Sequence, residues 1–343
     1  MKPETDELDS KKYLEDGNIS SHIRTKRKRK QLLTKNELLV IHGFDPDEYE
    51  LKQAVSNEWS VINSNHETGY NFQSKVIVRP KTEEDNLLEN ILESIEQYTK
   101  PFDIECIDDD KLDSTLLINL PDLHIGYNTA DEYSKYQNGI LTTLENQYEN
   151  VVICLLGDLF HADNFQSKTI HETRVNDTHI PNSWEEAILF VEPIIQKALA
   201  TSPNVKLVYT RGNHDETISW AFSKYLEVKY PQCEHDVSID QLKCVTIDKN
   251  AIFLTHGHVK KKNFVQLCAT LYPQEWAMTE NRMLFTGHFH TLRSEDLTGL
   301  VHYQLPTISK NTDYEEEKLF LGSQKGVHLF ELGRDKVNAI YYL

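Results

Sequence analysis

From Asp113 onward short apolar runs recur: TLLINL (115–120), VVICLL (151–156), VKLVYT (205–210), AIFLT (251–255), MLFT (283–286), LVHYQL (300–305), GVHLFEL (326–332) and VNAIYYL (337–343). Helix-like or polar stretches separate them, which is the pattern of an α/β domain whose strands are largely buried. Ahead of this region, NLLENILESIEQYTK (86–100) reads as an amphipathic connecting helix. Further upstream, Thr34 with Glu37 fits a capping box, Leu38, Leu39 and Ile41 make an apolar stripe, and GFDPDEYELKQAV restarts a helix with Asp45 or Asp47 as its cap. Two short helices followed by the strand-like KVIVRP suggest a helix-turn-helix or winged module, which either reads DNA or packs on the main domain. Residues 1–33 are polar and are expected to form a flexible tail. They end in RTKRKRK, where Arg24, Lys26, Arg27, Lys28, Arg29 and Lys30 make a like-charge block of the kind that stays solvated. Such a block serves as a phosphate-binding or partner-binding arm, or simply aids solubility. The predicted organisation is a tail over 1–33, a small, mainly helical accessory module with its connecting helix over 34–100, and the α/β domain over 101–343.

Composition narrows the class. With 39% hydrophobic and 26% charged residues among 343, the chain is long enough to bury a sizeable core and is neither fibrous nor disordered in composition. No run of about 18 apolar residues occurs and the N-terminus is polar, so neither a membrane span nor a signal peptide is expected and the reading is a cytoplasmic protein. Cys106, Cys154, Cys233, Cys244 and Cys268 are odd in number and contain no C-x-x-C pair. That pattern argues against a disulfide framework and against a zinc ribbon. A net charge of −18 argues against coating nucleic acid by bulk attraction, although a metal cluster inverts the field locally.

The informative feature is the short motif at the end of each strand. PDLHIG comes after TLLINL, GDLFHAD after VVICLL, GNHDE after VKLVYTR, HGH after AIFLT and GHFH after MLFT. Ligands of α/β sheets bind at the carboxyl ends of strands, so five such tips in chain order converge on one site. The side chains are carboxylates, imidazoles and one amide, with no thiolate, a set suited to hard-to-borderline divalent ions. A single zinc needs only three or four ligands, and this set supplies at least seven. Two ions about 3.5 to 4 Å apart, sharing a carboxylate, clamp the attacking and leaving oxygens of a displacement at phosphorus.

DLH, GDLFH, GNHD, HGH and GHFH together resemble the five ordered motifs of the calcineurin-like metallophosphoesterases, over about Asp122 to His290. The resemblance implies an α/β fold, a sandwich of two mixed β-sheets flanked by helices. It implies that Asp122, His124 and His290 bind one divalent ion, that Asn213, His256 and His288 bind a second, and that Asp158 bridges both. It also implies a metal-bridging hydroxide as nucleophile and His214 as general acid on the leaving oxygen, with Asp215 holding the other nitrogen of His214. Manganese leads the expected cofactors, and iron, zinc, nickel and magnesium also accept these ligands.

His161, at the polar position after GDLF, is similar to the DNA-repair exonuclease branch, whereas phosphomonoesterases of the family tend to carry Asp-Arg there. His161 is therefore the leading candidate for substrate contact. His258 reads as a second-layer residue, and Arg174, with His171 and His179, reads either as part of the mouth or as a solvated loop. The Arg-Pro-Ser continuation and the long cap regions of the repair nucleases are not evident. The resulting expectation is a phosphodiester hydrolase acting on DNA, with a small-nucleotide phosphatase or a cyclic or dinucleotide phosphodiesterase as the alternative. A scaffolding relative that had lost the chemistry should lack one of Asp122, Asp158, Asn213, His256, His288 or His290, and all are present. A homodimer is also consistent with the resemblance.

Overall fold

Two period-two stripes explain why the apolar runs become strands with both faces covered. In β5 (Thr115–Leu120) and β6 (Asn150–Leu155), Leu116, Ile118, Leu120, Val151, Ile153 and Leu155 point to one core, and Leu117, Val152 and Cys154 point to another. The computed structural model describes residues 7–14, 17–27, 33–62, 68–81, 92–97, 99–104, 112–175, 178–259, 263–311 and 322–343. It divides into two units, Met1–Glu93 and Ser94–Leu343, instead of breaking at 100/101.

The second unit also contains β7 (Asn204–Tyr209), β8 (Glu234–Asp236), β9 (Lys243–Ile247), β10 (Asn250–Leu254), β11 (Asn281–Thr286), β12 (Arg293–Asp296), β13 (Val301–Gln304), β14 (His328–Leu332) and β15 (Val337–Tyr342). A six-stranded sheet has the order β15-β14-β5-β6-β7-β8, parallel from β5 to β8 and antiparallel at β14 and β15. A five-stranded sheet has the order β12-β13-β11-β10-β9, with β10, β11 and β13 parallel and the edges antiparallel. Leu117, Val152, Cys154 and Val208 from the first sheet and Ile252, Leu254, Met283 and Phe285 from the second share one buried cluster, so the sheets are packed face to face. Helices Ser134–Leu144, Ile180–Thr201 and Glu216–Lys229 cover the outer face of the six-stranded sheet. Helices Phe264–Leu271 and Pro273–Met278 cover that of the other. The expected sandwich of two mixed sheets flanked by helices is thus the observed fold.

The first unit differs from the expected helical module. β1 (Glu7–Tyr13), β2 (Ile19–Arg27), β3 (Tyr49–Ile62) and β4 (Thr68–Pro80) form an antiparallel sheet in the order β1-β2-β4-β3. The segment expected to be a flexible tail therefore supplies two strands. Its basic block runs into β2 as far as Arg27, while Lys28, Arg29 and Lys30 lie outside the described residues. Alternation explains the strand: Ile19, Ser21 and Ile23 are buried, and Ser20, His22 and Arg24 between them are not. The first predicted helix forms over Lys35–Ile41 with its capping box, in which Thr34 Oγ1 accepts from Glu37 N and Glu37 Oε2 accepts from Thr34 N. The second does not form. Asp45 makes a turn by accepting from Asp47 N, and YELKQAVSNEWSVI pairs with β4 from Tyr49↔Pro80 to Ile62↔Thr68. Thirteen paired positions of ladder override a local composition of good helix formers. Of the connecting helix expected over 86–100, 92–97 are helix and 99–100 are not; 86–91 and 98 lie outside the described residues.

Phe285 is the natural probe of the sandwich, being fully buried between the sheets with its ring 4.8 Å from Phe330 and 5.3 Å from Tyr303. Phe285→Ala is expected to cost about 3–5 kcal/mol in urea unfolding, whereas Leu189→Ala, on an exposed helix position, should stay within about 0.5 kcal/mol.

Candidate metal centre

Parallel strands point their carboxyl ends the same way, and the loops after β5, β6 and β7 are zipped together beyond the strands themselves. Asp122 N donates to Gly157 O (3.1 Å), His124 N to Asp158 O (3.0 Å), Ile125 N to Leu159 O (2.8 Å) and His161 N to Ile125 O (3.0 Å). Bonds from the five-stranded sheet join this edge: His288 N donates to Asp122 Oδ2 (2.8 Å), and His256 Nδ1 bonds Leu156 O (2.9 Å). Asp122, His124, Asp158, His288 and His290 all adopt positive φ, between 47° and 68°. Asp, Asn and His are the non-glycine residues that reach this region most readily, and strained backbone of this kind clusters at functional sites.

All seven residues expected to be ligands converge. Asp122, His124 and His290 place one potential donor atom each within 4.8 Å of one another, as do Asp158, His256 and His288. His124 Nε2 and His290 Nε2 lie 3.3 Å apart, and His290 Nε2 is 3.3 Å from Asp122 Oδ1. His256 Nε2 is 3.1 Å from Asp158 Oδ2, 3.2 Å from Asn213 Oδ1 and 3.8 Å from Asp122 Oδ1. The last contact links the two groups. Asp158 Oδ1 is fixed by the backbone N–H groups of Asn213 (2.7 Å) and His214 (2.9 Å), leaving Oδ2 to face the imidazole.

Electrostatics fit a cation. Asp122 Oδ1 is buried without a hydrogen-bond donor, and two Nε2 atoms facing each other cannot both donate across 3.3 Å. Burial, followed by the neighbouring His214 and His290, pushes His124 well below its ordinary value, so its ring is neutral. Burial alone would lower His256, but the Asp158 and Asp122 carboxylates outweigh it and raise the residue to about 9. Since Nδ1 is committed to Leu156 O, the titrating proton sits on Nε2, facing Asp158. Burial would raise Asp158, yet His256 and His214 hold its carboxyl well below the usual range. Glycines make room for this packing: a Cβ on Gly212 would fall 2.1 Å from Asp158 Oδ1, and one on Gly287 would fall 2.4 Å from Asp122 Oδ2.

The remaining predicted residues are placed less uniformly. His214 joins the cluster, its ring centroid 4.7 Å from that of His124, and its Nδ1 bonds His161 O (3.0 Å). The expected Asp215 to His214 bond is therefore replaced by this carbonyl contact. Asp215 instead accepts from Phe160 N (2.6 Å), because its position at the start of a helix turns its buried carboxyl back toward the β6 tip. Burial and the nearby Asp158 push Asp215 well above its ordinary value. His161 is buried beside the site, Nδ1 3.4 Å from His124 Nδ1, and forms a further three-histidine group with His124 and His214. His258 stands one layer out, 5.4 Å from the His256 ring. Arg174 is exposed and bridges by backbone to Lys168; His171 is exposed and His179 caps the helix at Ile180. Sequence reading missed Tyr127, whose ring lies 5.0 Å from that of His161 at a tilt of 30°, and Thr307, which donates to Asp122 O. Neither belongs to a motif, and only the folded loop after β13 brings Thr307 to the site.

A family model described as calcineurin-like phosphoesterase matches residues 117–320, more than half of the chain. The chain belongs to the calcineurin-like phosphoesterases. This family uses divalent metals, and the Asp122 and Asp158 groups are its candidate sites here. No curated protein matches the chain. Among solved structures, it is similar to wild-type Vps29 of Entamoeba histolytica complexed with Zn2+, at 13% identity, covering 66% of this chain and 97% of that one with a TM-score of 0.35. It is also similar to an archaeal phosphodiesterase (11%, 66% and 99%, TM-score 0.36) and to a conserved Streptococcus pneumoniae protein predicted to be a phosphoesterase (13%, 67% and 98%, TM-score 0.30). Among the described residues, no helix is long and apolar enough to cross a membrane.

Two outcomes check the centre. Gly212→Ala should displace Asp158 and lower bound manganese or zinc, read by elemental analysis of the purified chain. In the metal-free protein the raised His256 contributes stability that is full below about 6.5 and is lost as pH rises through about 9. A cation at Nε2 must displace that proton, so metal affinity should rise about tenfold per pH unit below about 9, and the Tm gain on loading should grow from pH 6 to 9. A gain that shrinks over this range would contradict the assignment.

Proposed function

We propose that the chain hydrolyses phosphodiesters, with DNA as the substrate. The supporting observation is the group that the β6 tip presents. Leu159 and Phe160, which come directly after Asp158, are buried in the helix-side core, so the first polar side chain beside the cluster is the His161 imidazole and not an arginine. Arg211 is tied to Glu216 (2.5 Å) and to Ile239 O. A phosphomonoester carries a charge of about −1.5 to −2 near neutral pH, against −1 for a diester. A rim that, among the described residues, offers imidazoles at the β6 tip suits the smaller charge, and the same position carries the resemblance to the DNA-repair exonuclease branch.

In this reading Asp122, His124 and His290 hold one divalent ion, Asn213, His256 and His288 the other, and Asp158 both. When bound, the ions supply activated water and neutralise charge on the phosphate oxygens. His214 anchors Nδ1–H on the His161 carbonyl, which fixes the ring and leaves Nε2 to carry a proton toward the leaving oxygen. Asp215 acts through backbone, bolting Phe160 and thereby the neighbouring His161 in place. The acidity of the chain, −18, favours a second reading, hydrolysis of small cyclic or dinucleotides.

Manganese-dependent cleavage of end-labelled single- and double-stranded DNA, assayed beside a cyclic dinucleotide and a simple phosphomonoester, separates the two readings. Cleavage of DNA is expected, and turnover of small substrates alone would move the function to nucleotide metabolism. Asp158→Asn should weaken both ions and abolish turnover. His214→Ala should keep its metal while kcat falls about 10²- to 10⁴-fold; loss of metal as well would make His214 a ligand.

A further inference from the structure

The sheet of the first unit has one covered face and one open face, and the two differ in chemistry. On the covered face Ile19, Ile23, Phe72, Val76 and Val78 pack with Leu38, Leu39 and Phe44. Ser56 and Ser74 hydrogen-bond there (2.9 Å), and Lys11 Nζ lies 3.8 Å from the centre of the Phe44 ring. Register then assigns the opposite face. Arg24 pairs with Gln73 and Gln73 with Asn57; His22 pairs with Lys75; Asn71 pairs with Trp59; Lys12 pairs with Ser20. Directly opposed residues share a face, and the bond from Gln73 Nε2 to His22 Nε2 (2.8 Å) shows the sharing directly.

An open antiparallel face is ordinarily a solvated mixture of both signs of charge. Here Lys12, Arg24, Lys75 and Arg79 share the face with two acidic positions: Glu7, which pairs in register with Arg24, and Glu50, which is engaged by Arg79 (2.7 Å) and Lys52 (3.0 Å). The chain as a whole holds 54 acidic against 36 basic residues, so this face reverses the average. The strand that carries Arg24 also leads into the basic block. Between the cations stand amides, Asn57, Asn71 and Gln73, able to donate and to accept. Trp59 stands among them with 46% of its surface exposed. A large ring left in water on a cationic, amide-rich sheet is a stacking platform, and a partner that stacks on it must be flat and must carry negative charge alongside.

We infer that the open face of this four-stranded sheet binds single-stranded nucleic acid, Trp59 stacking on a base while Lys75 and its neighbours contact phosphates. Single strands expose base faces and duplexes do not, and sequence-tolerant strand binding combines a positive surface with aromatic stacking. This deepens the DNA reading of the metal centre, but it rests on the first unit alone and is tested without hydrolysis.

The test uses the full chain in EDTA and a fluorescein-labelled oligodeoxythymidine of about 16 nucleotides, followed by anisotropy. Wild type is expected to bind. Trp59→Ala should weaken binding about tenfold and Trp59→Phe should restore most of it. Lys75→Gln should reduce the slope of log affinity against log salt by about 0.7, the mark of one lost phosphate contact. Both positions are exposed, and unchanged thermal unfolding with unchanged manganese-dependent turnover of bis(p-nitrophenyl) phosphate will show that fold and centre are intact. Failure of wild type to bind, or variants that bind as wild type does, overturns the inference. Binding by wild type without DNA cleavage would remove the nuclease reading and leave this surface standing. Cleavage with binding indifferent to Trp59 would do the reverse.

Discussion

The Asp158 carboxylate holds the second unit's functional edge together. An ionised carboxylate taken out of water costs several kcal/mol unless charge and hydrogen bonds replace the solvent. Here the replacement comes from two strand ends: two backbone N–H groups from the loop after β7, and the His256 imidazole after β10. The backbone carbonyl of Asp158 accepts from His124, which ties in the loop after β5. One side chain and its own peptide thus fasten tips from both sheets. The two-sheet sandwich is what makes this possible, because β5 to β7 and β10 to β11 run parallel and end at a common edge.

The same geometry concentrates like groups. Burying several imidazoles and three carboxylates together leaves a neutral His124 and a charged His256 in one cluster, and a raised Asp215 near a lowered Asp158. Opposed shifts of titratable groups within one buried cluster are a feature of candidate functional sites. The half-buried members, Asn213, His214, His288 and His290, lie on its accessible side.

Much of this was legible in the sequence of the second unit, because its strands are buried on both faces and so read as unbroken apolar runs. The clustered carboxylates, imidazoles and amide come immediately after those runs. The partner of His214 could not be read there, since adjacency in GNHDE says nothing about which way a residue at a helix start turns. The first unit was misread for a complementary reason. β2 and β3 are covered on one face only, so half of each strand is polar, and the charges in Ile19–Arg27 and the helix formers in Tyr49–Ile62 hid a period of two. Pairing across Tyr49 to Pro80 is information that no local window contains. The capping box at Thr34 was readable because it is wholly local.

The positive φ angles at Asp122, His124, Asp158, His288 and His290 restrict the alphabet available to this centre. Coordination chemistry alone would accept a glutamate wherever it accepts an aspartate, since the donor oxygen is the same. The left-handed backbone does not, because it favours side chains short enough to bond locally, and aspartate, asparagine and histidine are the ligands that also satisfy it. Exchange of any of these five residues for a β-branched or bulky one would therefore strain the backbone as well as remove a donor atom, whichever phosphate ester the mouth of the site serves.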